Sequence, residues 1–281
     1  MPSLPEGEPG TPTRSPDQST PPPPSTAFSR GIRWLNWAVT HPVVLLKPAR
    51  YLFILSHMRS RSTLLSHVFG SHPEISGYLE AQLHYRGTMD FLRLRRFVSL
   101  STGQKSLNRY VVDKVLFNDS FEPEIIDRVG ISPIFLLRKP EESIKSTCSM
   151  MRPRTPQLHM DKSVDYYLKR VEWLERCART IRTKGIFIES ASLVSQTQEV
   201  FRLVQDKLAL SAPLSESYQT FTATGKTVRG DPSKMISEGQ IVRDGRKSYT
   251  AELVVPPDAL ARAEELYERC LATMRDRCWH I

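Results

Sequence analysis

The sequence predicts an α/β fold, a three-layer sandwich with a central parallel sheet flanked by helices. Short apolar runs alternate with longer stretches whose apolar residues recur at helical spacing, the order expected of strand–crossover–strand units. The runs Tyr51–Ser56, Arg109–Val115 and Pro133–Leu137 each stop abruptly in polar or charged residues. The first gives way to a loop of mostly polar residues, 57–63, before the pattern resumes as Leu64, Leu65, Val68 and Phe69.

Taken in order, residues 1–30 are Pro-rich, with Pro21 to Pro24 in succession, and carry no apolar periodicity. A disordered leader is expected, since such a composition buries too little apolar surface to offset chain entropy. It lacks a basic start followed by an apolar core and does not read as a secretory signal. Residues 31–281 are expected to form a single domain. Trp34–Leu46 is apolar but interrupted by His41 and Pro42, and is shorter than the about 20 residues of a membrane span. It reads as an amphipathic helix or packed arm, with peripheral membrane contact as the minor alternative.

The run Tyr51–Ser56 reads as a buried strand and Ser62–Gly70 as the helix after it. A second strand, Arg109–Val115, passes through Lys114 into a loop with Asn118 and Asp119. The third, Pro133–Leu137, ends at Arg138-Lys139-Pro140. Pro140 suits the first turn of a helix, and Glu141 and Glu142 complement its positive end. Apolar or aromatic residues at 164, 167, 168, 171 and 174 predict a long amphipathic helix over Val164–Ile181. Gly185–Glu189 is a fourth strand, Val200, Phe201, Val204 and Leu208 a further helical stripe, and Pro257–Cys278 a closing helix. Residues 211–250 show no period and read as a long loop region.

The chain has 281 residues, 40% hydrophobic, with 39 Lys and Arg against 30 Asp and Glu, a net charge of +9. That balance points to anionic partners. The basic residues are spread along the chain without a block of interleaved aromatics, so a nucleic-acid partner is not expected. Cys148, Cys177, Cys270 and Cys278 form no C-x-x-C pair. Free thiols in a reducing, cytoplasmic setting fit better than disulfides or zinc. His41, His67, His72, His159 and His280 have no ligand spacing, and packing is the default for them.

Strand, tight loop and helix start is the geometry that aims backbone N–H groups and a helix dipole at an anion. Here the loop adds Arg59, Ser60, Arg61, Ser62 and Thr63. It is not G-x-x-x-x-G-K-[ST]: between His57 and Phe69 there is neither glycine nor lysine. Arginine can grip a phosphate or sulfate bidentately without a metal. Ligands of open parallel sheets bind at the carboxyl ends of the strands. The loop at 57–63, Lys114 and Arg138 converge there.

These residues resemble the sulfotransferases that use 3′-phosphoadenosine 5′-phosphosulfate (PAPS), of the carbohydrate or bacterial type, which have a P-loop-like fold. Their first motif is a strand, an R-S-G-S-T-like loop and a helix around the 5′-phosphosulfate. Arg59 stands at its basic position, Ser60, Ser62 and Thr63 at the hydroxyl positions, and Arg61 where glycine is usual. Their second motif is a strand-end Arg followed by a helix with Ser eight residues on, holding the 3′-phosphate. Arg138 and Ser146 have that spacing, and two helical turns put them on one face. The likeness covers about residues 50–195, including an echo at Ile188–Leu193. A third segment, R-K-G-x-x-G-D, is partly matched at Gly225–Asp231, where Lys226 and Arg229 are cofactor candidates.

The resemblance implies sulfuryl transfer from PAPS to an acceptor hydroxyl of a sugar, polyol or glycolipid. The N–H groups of residues 60–64, Leu64 included, would hold the 5′-phosphate. Arg59 and Lys114 would stabilise charge on the leaving group. Transfer needs a proton acceptor; Glu80 occupies the family's position, with His84 the runner-up, and His57 is a lesser candidate for contact with the phosphosulfate. Competing readings are a nucleotide-dependent phosphotransferase (a kinase) and a non-catalytic binding protein of the same fold.

Overall fold

The computed structural model describes residues 27–150, 156–225, 234–243 and 253–281. Helix α1, Ala27–Thr40, belongs to a compact unit of its own. Inside it Trp34 and Trp37 meet edge to face at 5.3 Å, and the Thr40 hydroxyl donates to the Asn36 carbonyl at 2.8 Å. No described helix is long and apolar enough to cross a membrane.

The second unit, residues 41–281, begins with α2 (Pro42–Leu46), β1 (Arg50–Ser56), α3 (Ser62–Gly70), β2 (Ile75–Ser76), α4 (Thr88–Thr102) and β3 (Tyr110–Val115). After a 3-10 turn at Asn118–Ser120 come α5 (Ile125–Val129), β4 (Ser132–Leu137), α6 (Pro140–Met150), α7 (Pro156–Thr180) and β5 (Ile186–Glu189). Helices α8 (Ser192–Ser195) and α9 (Thr197–Leu208), a 3-10 turn at Lys234–Glu238 and α10 (Pro257–Arg277) complete it.

The five described strands are all parallel, in the order β2-β3-β1-β4-β5. The central strand β1 pairs with β3 and β4, Leu52 facing Val112 and Ile54 facing Ile134. Because β3 and β4 flank its edges and packed layers cover both faces, its Leu52, Phe53, Ile54 and Leu55 are all fully buried. That is why β1 reads as a continuous apolar run rather than an alternation. Each such side chain contributes about 1.5–3 kcal/mol. At the β5 edge, Phe187 N–H donates to Trp279 O and Trp279 N–H to Gly185 O, so the C-terminus adds a one-residue bridge to the sheet.

One face of the sheet, with Leu52, Ile54, Val112, Ile134, Leu136 and Ile188, packs on Leu65, Val68 and Phe69 of α3 and Val200, Phe201 and Val204 of α9. On the other face Phe53 meets Tyr85, Phe91 of α4 and Phe121, which in turn meets Trp173 of α7. These are the two outer layers of the sandwich. From β1 the chain leads towards the β2 edge, whereas from β4 it leads towards β5. The loops after β1 and β4 therefore diverge, opening a crevice at the carboxyl ends of two adjacent strands.

Candidate active site

The loop after β1 holds two residues with positive φ, Arg59 at 62° and Arg61 at 67°. Left-handed backbone costs a non-glycine residue about 1–2 kcal/mol, so something must hold each. Arg138, the first residue beyond β4, donates from Nη1 to the Arg59 carbonyl at 2.8 Å. Arg61 donates from Nη1 to the carbonyl (2.6 Å) and hydroxyl (3.2 Å) of Ser190, just beyond β5. Arg61 thus holds a left-handed conformation that glycine adopts most readily. The Arg61 guanidinium, one of the predicted cofactor ligands, reaches Ser190, and burial pushes its pKa down.

The loop backbone turns sharply enough that Ser60 Oγ donates back to His57 O at 2.8 Å. The first hydrogen bond of α3 runs from Leu65 N–H to Arg61 O at 3.1 Å. The N–H groups of Ser62, Thr63 and Leu64, in the first turn of α3, have no intrahelical acceptors and carry the positive end of the dipole. Thr63 adds a hydroxyl on which Lys114 is docked, Nζ donating to Oγ1 at 3.1 Å. Lys114 is only 4% exposed, so its ammonium is held against the start of α3.

On the β4 side, Arg59 Nε donates to Ser146 Oγ at 2.9 Å, tying the loop to α6. Arg138 also pairs with Glu142 on α6, Nη2 to Oε2 at 2.8 Å. Arg59, Arg138 and Ser146 therefore form one bonded group, in which Arg59 rather than Arg138 makes the direct bond to Ser146. Arg59 is its centre, reaching Ser146 through its side chain and Arg138 through its carbonyl.

His57 belongs to the frame. Its ring is fully buried, and Nε2 accepts the Arg138 N–H at 3.0 Å. That assigns the proton to Nδ1, which lies 2.9 Å from Met58 O and 3.0 Å from Ser143 Oγ. Burial lowers its pKa to about 4, so it is neutral at pH 7. Both nitrogens are occupied, which removes His57 as a phosphosulfate ligand.

Glu80 sits on the buried segment between β2 and α4, 9% exposed. It lies within electrostatic reach of Tyr166 and Arg170 on α7. Tyr166 Oη accepts the Met58 N–H at 2.9 Å and donates to Leu116 O at 2.8 Å, joining the first loop to the β3 end. His84 is exposed, with Nδ1 2.8 Å from Asp119 O. The segment starts at Gly77, whose φ is +101°; a Cβ there would lie 2.9 Å from Val112 O. Lys226 and Arg229 lie outside the described residues. The chain before them is anchored to the α3 side: Phe221 stacks on Tyr78 at 4.0 Å, and His67 Nε2 is 2.9 Å from Thr224 Oγ1.

Sequence reasoning missed Arg170, which is fully buried. It donates to Ser56 O (2.9 Å), Val115 O (2.6 Å) and Asn118 Oδ1 (3.1 Å), clamping the ends of β1 and β3. Its signal is a charged residue within the apolar stripe of α7, between Tyr167 and Val171. Burial lowers its pKa to about 10, so it stays charged. Asp113, fully buried in β3, was also missed. It accepts the N–H groups of Ala81 and Lys114 at 2.9 and 2.8 Å, and the Tyr85 hydroxyl.

Hydrogen bonds thus gather Arg59, Lys114 and Arg138 around the start of α3, with Glu142 paired to Arg138 and Glu80 within electrostatic reach of Tyr166, which bonds the same loop. The cationic and hydroxyl donors around this helix N-terminus suit a phosphate or sulfate ester, and their chemistry is compatible with a nucleotide sulfate donor.

Comparison of the sequence with protein-family models and with curated proteins gives no match. Solved structures do match. A sulfotransferase domain from the Synechococcus PCC 7002 olefin synthase superposes with a TM-score of 0.57 at 19% identity, covering 78% of this chain and 94% of that domain. A sulfotransferase domain from the curacin biosynthetic pathway gives 0.53 at 18% identity, over 78% and 98%. The parallel sheet, its flanking layers and these superpositions agree: the chain has the fold of sulfotransferase domains.

Proposed function

We propose that this protein is a PAPS-dependent sulfotransferase acting on the hydroxyl of a sugar, polyol or glycolipid. The observation that carries the reading is the bonded group of Arg59, Arg138 and Ser146 across the β1–β4 crevice, with Lys114 docked on Thr63 beside it. A kinase loop would present a lysine and glycines there.

When bound, PAPS supplies the sulfuryl group and leaves as adenosine 3′,5′-bisphosphate. The N–H groups of residues 60–64 and Arg59 would hold the 5′-phosphate, and Arg138 and Ser146 the 3′-phosphate, Arg138 giving up its exposed partner Glu142. Lys114 would stabilise negative charge developing on the leaving phosphate. Glu80 would accept the proton of the acceptor hydroxyl. Arg170 holds the β1 and β3 ends that carry these groups.

The test is transfer of radiolabelled sulfate from PAPS to a panel of sugar, polyol and glycolipid acceptors. Wild type should label at least one class, and Glu80→Gln should lower kcat by about 10²–10⁴ with adenosine 3′,5′-bisphosphate binding unchanged. Unaltered turnover in Glu80→Gln would move the base to another residue, His84 first. Bisphosphate binding with no transfer to any acceptor would instead mark a non-catalytic protein.

A further inference from the structure

We propose that Asp113 is a positioning residue for the proton acceptor, fixing the 78–85 segment so that Glu80 keeps its place near Tyr166 and Arg170. The inference rests on the reading of Glu80 as the base. Along β3 successive side chains point to opposite faces. Lys114 therefore reaches Thr63 on the α3 face, while Asp113 points to the other face, among Phe53, Tyr85 and Phe91. There its Oδ1 accepts the N–H of Ala81, the residue after Glu80, at 2.9 Å, and its Oδ2 accepts the hydroxyl of Tyr85. Tyr85 N–H in turn donates to Ser120 O.

The segment from Gly77 to Gly87 has no helix or strand, yet Tyr78–Ala81 and Tyr85 are buried. Its backbone includes Gln82 at φ 54°. A chain of this kind has no ladder to set its place, so side-chain anchors must do it. Asp113 ties the segment at two points on either side of that strained residue. Burial pushes the Asp113 carboxyl up to about 6. An apolar residue would avoid that penalty but would leave the Ala81 N–H without its acceptor.

Asp113→Ala removes both ties, whereas Asp113→Asn keeps them: its Oδ1 accepts the two N–H groups and its Nδ2 donates to the Tyr85 oxygen. The experiment measures amide exchange over residues 78–86, kcat, and KM for PAPS in both variants and in Tyr85→Phe, a milder cut should the alanine variant not fold. Asp113→Ala should speed exchange in this segment but not in α3, and lower kcat about 10–100-fold with KM for PAPS held within threefold. These factors follow from misplacing a reacting group by about an ångström. Asp113→Asn should restore both readouts, and Tyr85→Phe should fall between. Three results would overturn the proposal: unchanged exchange and kcat in both Asp113→Ala and Tyr85→Phe, an Asn variant as impaired as the Ala variant, or equal loss of PAPS affinity. Because the exchange readout is independent of chemistry, an intact Glu80→Gln enzyme would sink the base assignment without touching the tether.

Discussion

Arg138→Ala is the sharpest probe of cofactor recognition. In the structure its guanidinium is paired with Glu142, whose side chain is 56% exposed. An exposed i,i+4 pair is worth about 0.3–0.5 kcal/mol, so surrendering it to a phosphate costs less than about a factor of three. A charge-assisted contact to phosphate returns about 1.5–3 kcal/mol. The net, about 1–3 kcal/mol, is roughly 5–150-fold in Kd. The variant also removes the Nη1 bond to the Arg59 carbonyl, loosening the left-handed turn under the 5′-phosphate, so the upper half of that range is expected for adenosine 3′,5′-bisphosphate. Adenosine 5′-monophosphate, which lacks the 3′-phosphate, should feel only the loosened turn and lose less than about tenfold, a single left-handed residue being worth about 1 kcal/mol. Calorimetric titration of both ligands into both proteins at one salt concentration gives the cycle. Equal losses for the two ligands would refute the assignment of Arg138 to the 3′-phosphate. So would a loss below threefold for the bisphosphate.

Three further outcomes are expected. Arg170→Met leaves the carbonyls of Ser56 and Val115 without their donor; at about 1–3 kcal/mol per buried orphan, urea unfolding should show a loss of roughly 3 kcal/mol, and a loss under 1 would mean the clamp is dispensable. Arg61→Gly trades the bond to Ser190 for relief of about 1 kcal/mol of left-handed strain; bisphosphate affinity should stay within about threefold, and a collapse would show that the Arg61 side chain binds cofactor directly. Asp113 has a folded-state pKa of about 6 against an ordinary 3.8, so its burial costs stability where it is ionised, above about pH 6, and the cost fades as pH falls towards 3.8. Asp113→Asn should therefore be more stable than wild type at pH 8, by up to roughly 3 kcal/mol, with the gap closing near pH 4; denaturant midpoints at the two pH values check this.

Strands β1 and β4 can be read from the sequence because buried parallel strands are near-continuous apolar runs, and β3 and β5 from the shorter runs 110–112 and 186–188 that precede their charged residues; the ends of β3 and β4 locate Lys114 and Arg138. Strand β2 cannot, being two residues long. Helix α4 falls in a segment that looks patternless: Phe91, Leu94 and Val98 keep helical spacing, but Arg93, Arg95 and Arg96 are interleaved with them. Arg95 is itself buried, its guanidinium bonded to the Lys47 carbonyl, so one of the charges points inward. At the site, the motif spacing links Ser146 to Arg138, whereas the direct bond runs from Arg59, since the reach of a long side chain across a crevice is set by tertiary structure. The same holds for Arg61. Its left-handed backbone depends on Ser190, 129 residues away, and no local pattern encodes that anchor.

The central claim is that the crevice selects a bisphosphorylated adenosine. Titrating the wild-type protein with adenosine 3′,5′-bisphosphate and with Mg-ATP, side by side, tests it most directly. Saturable binding of the bisphosphate, at least tenfold tighter than ATP and without need of magnesium, is expected. Tighter, magnesium-dependent binding of ATP would contradict it and favour a phosphotransferase.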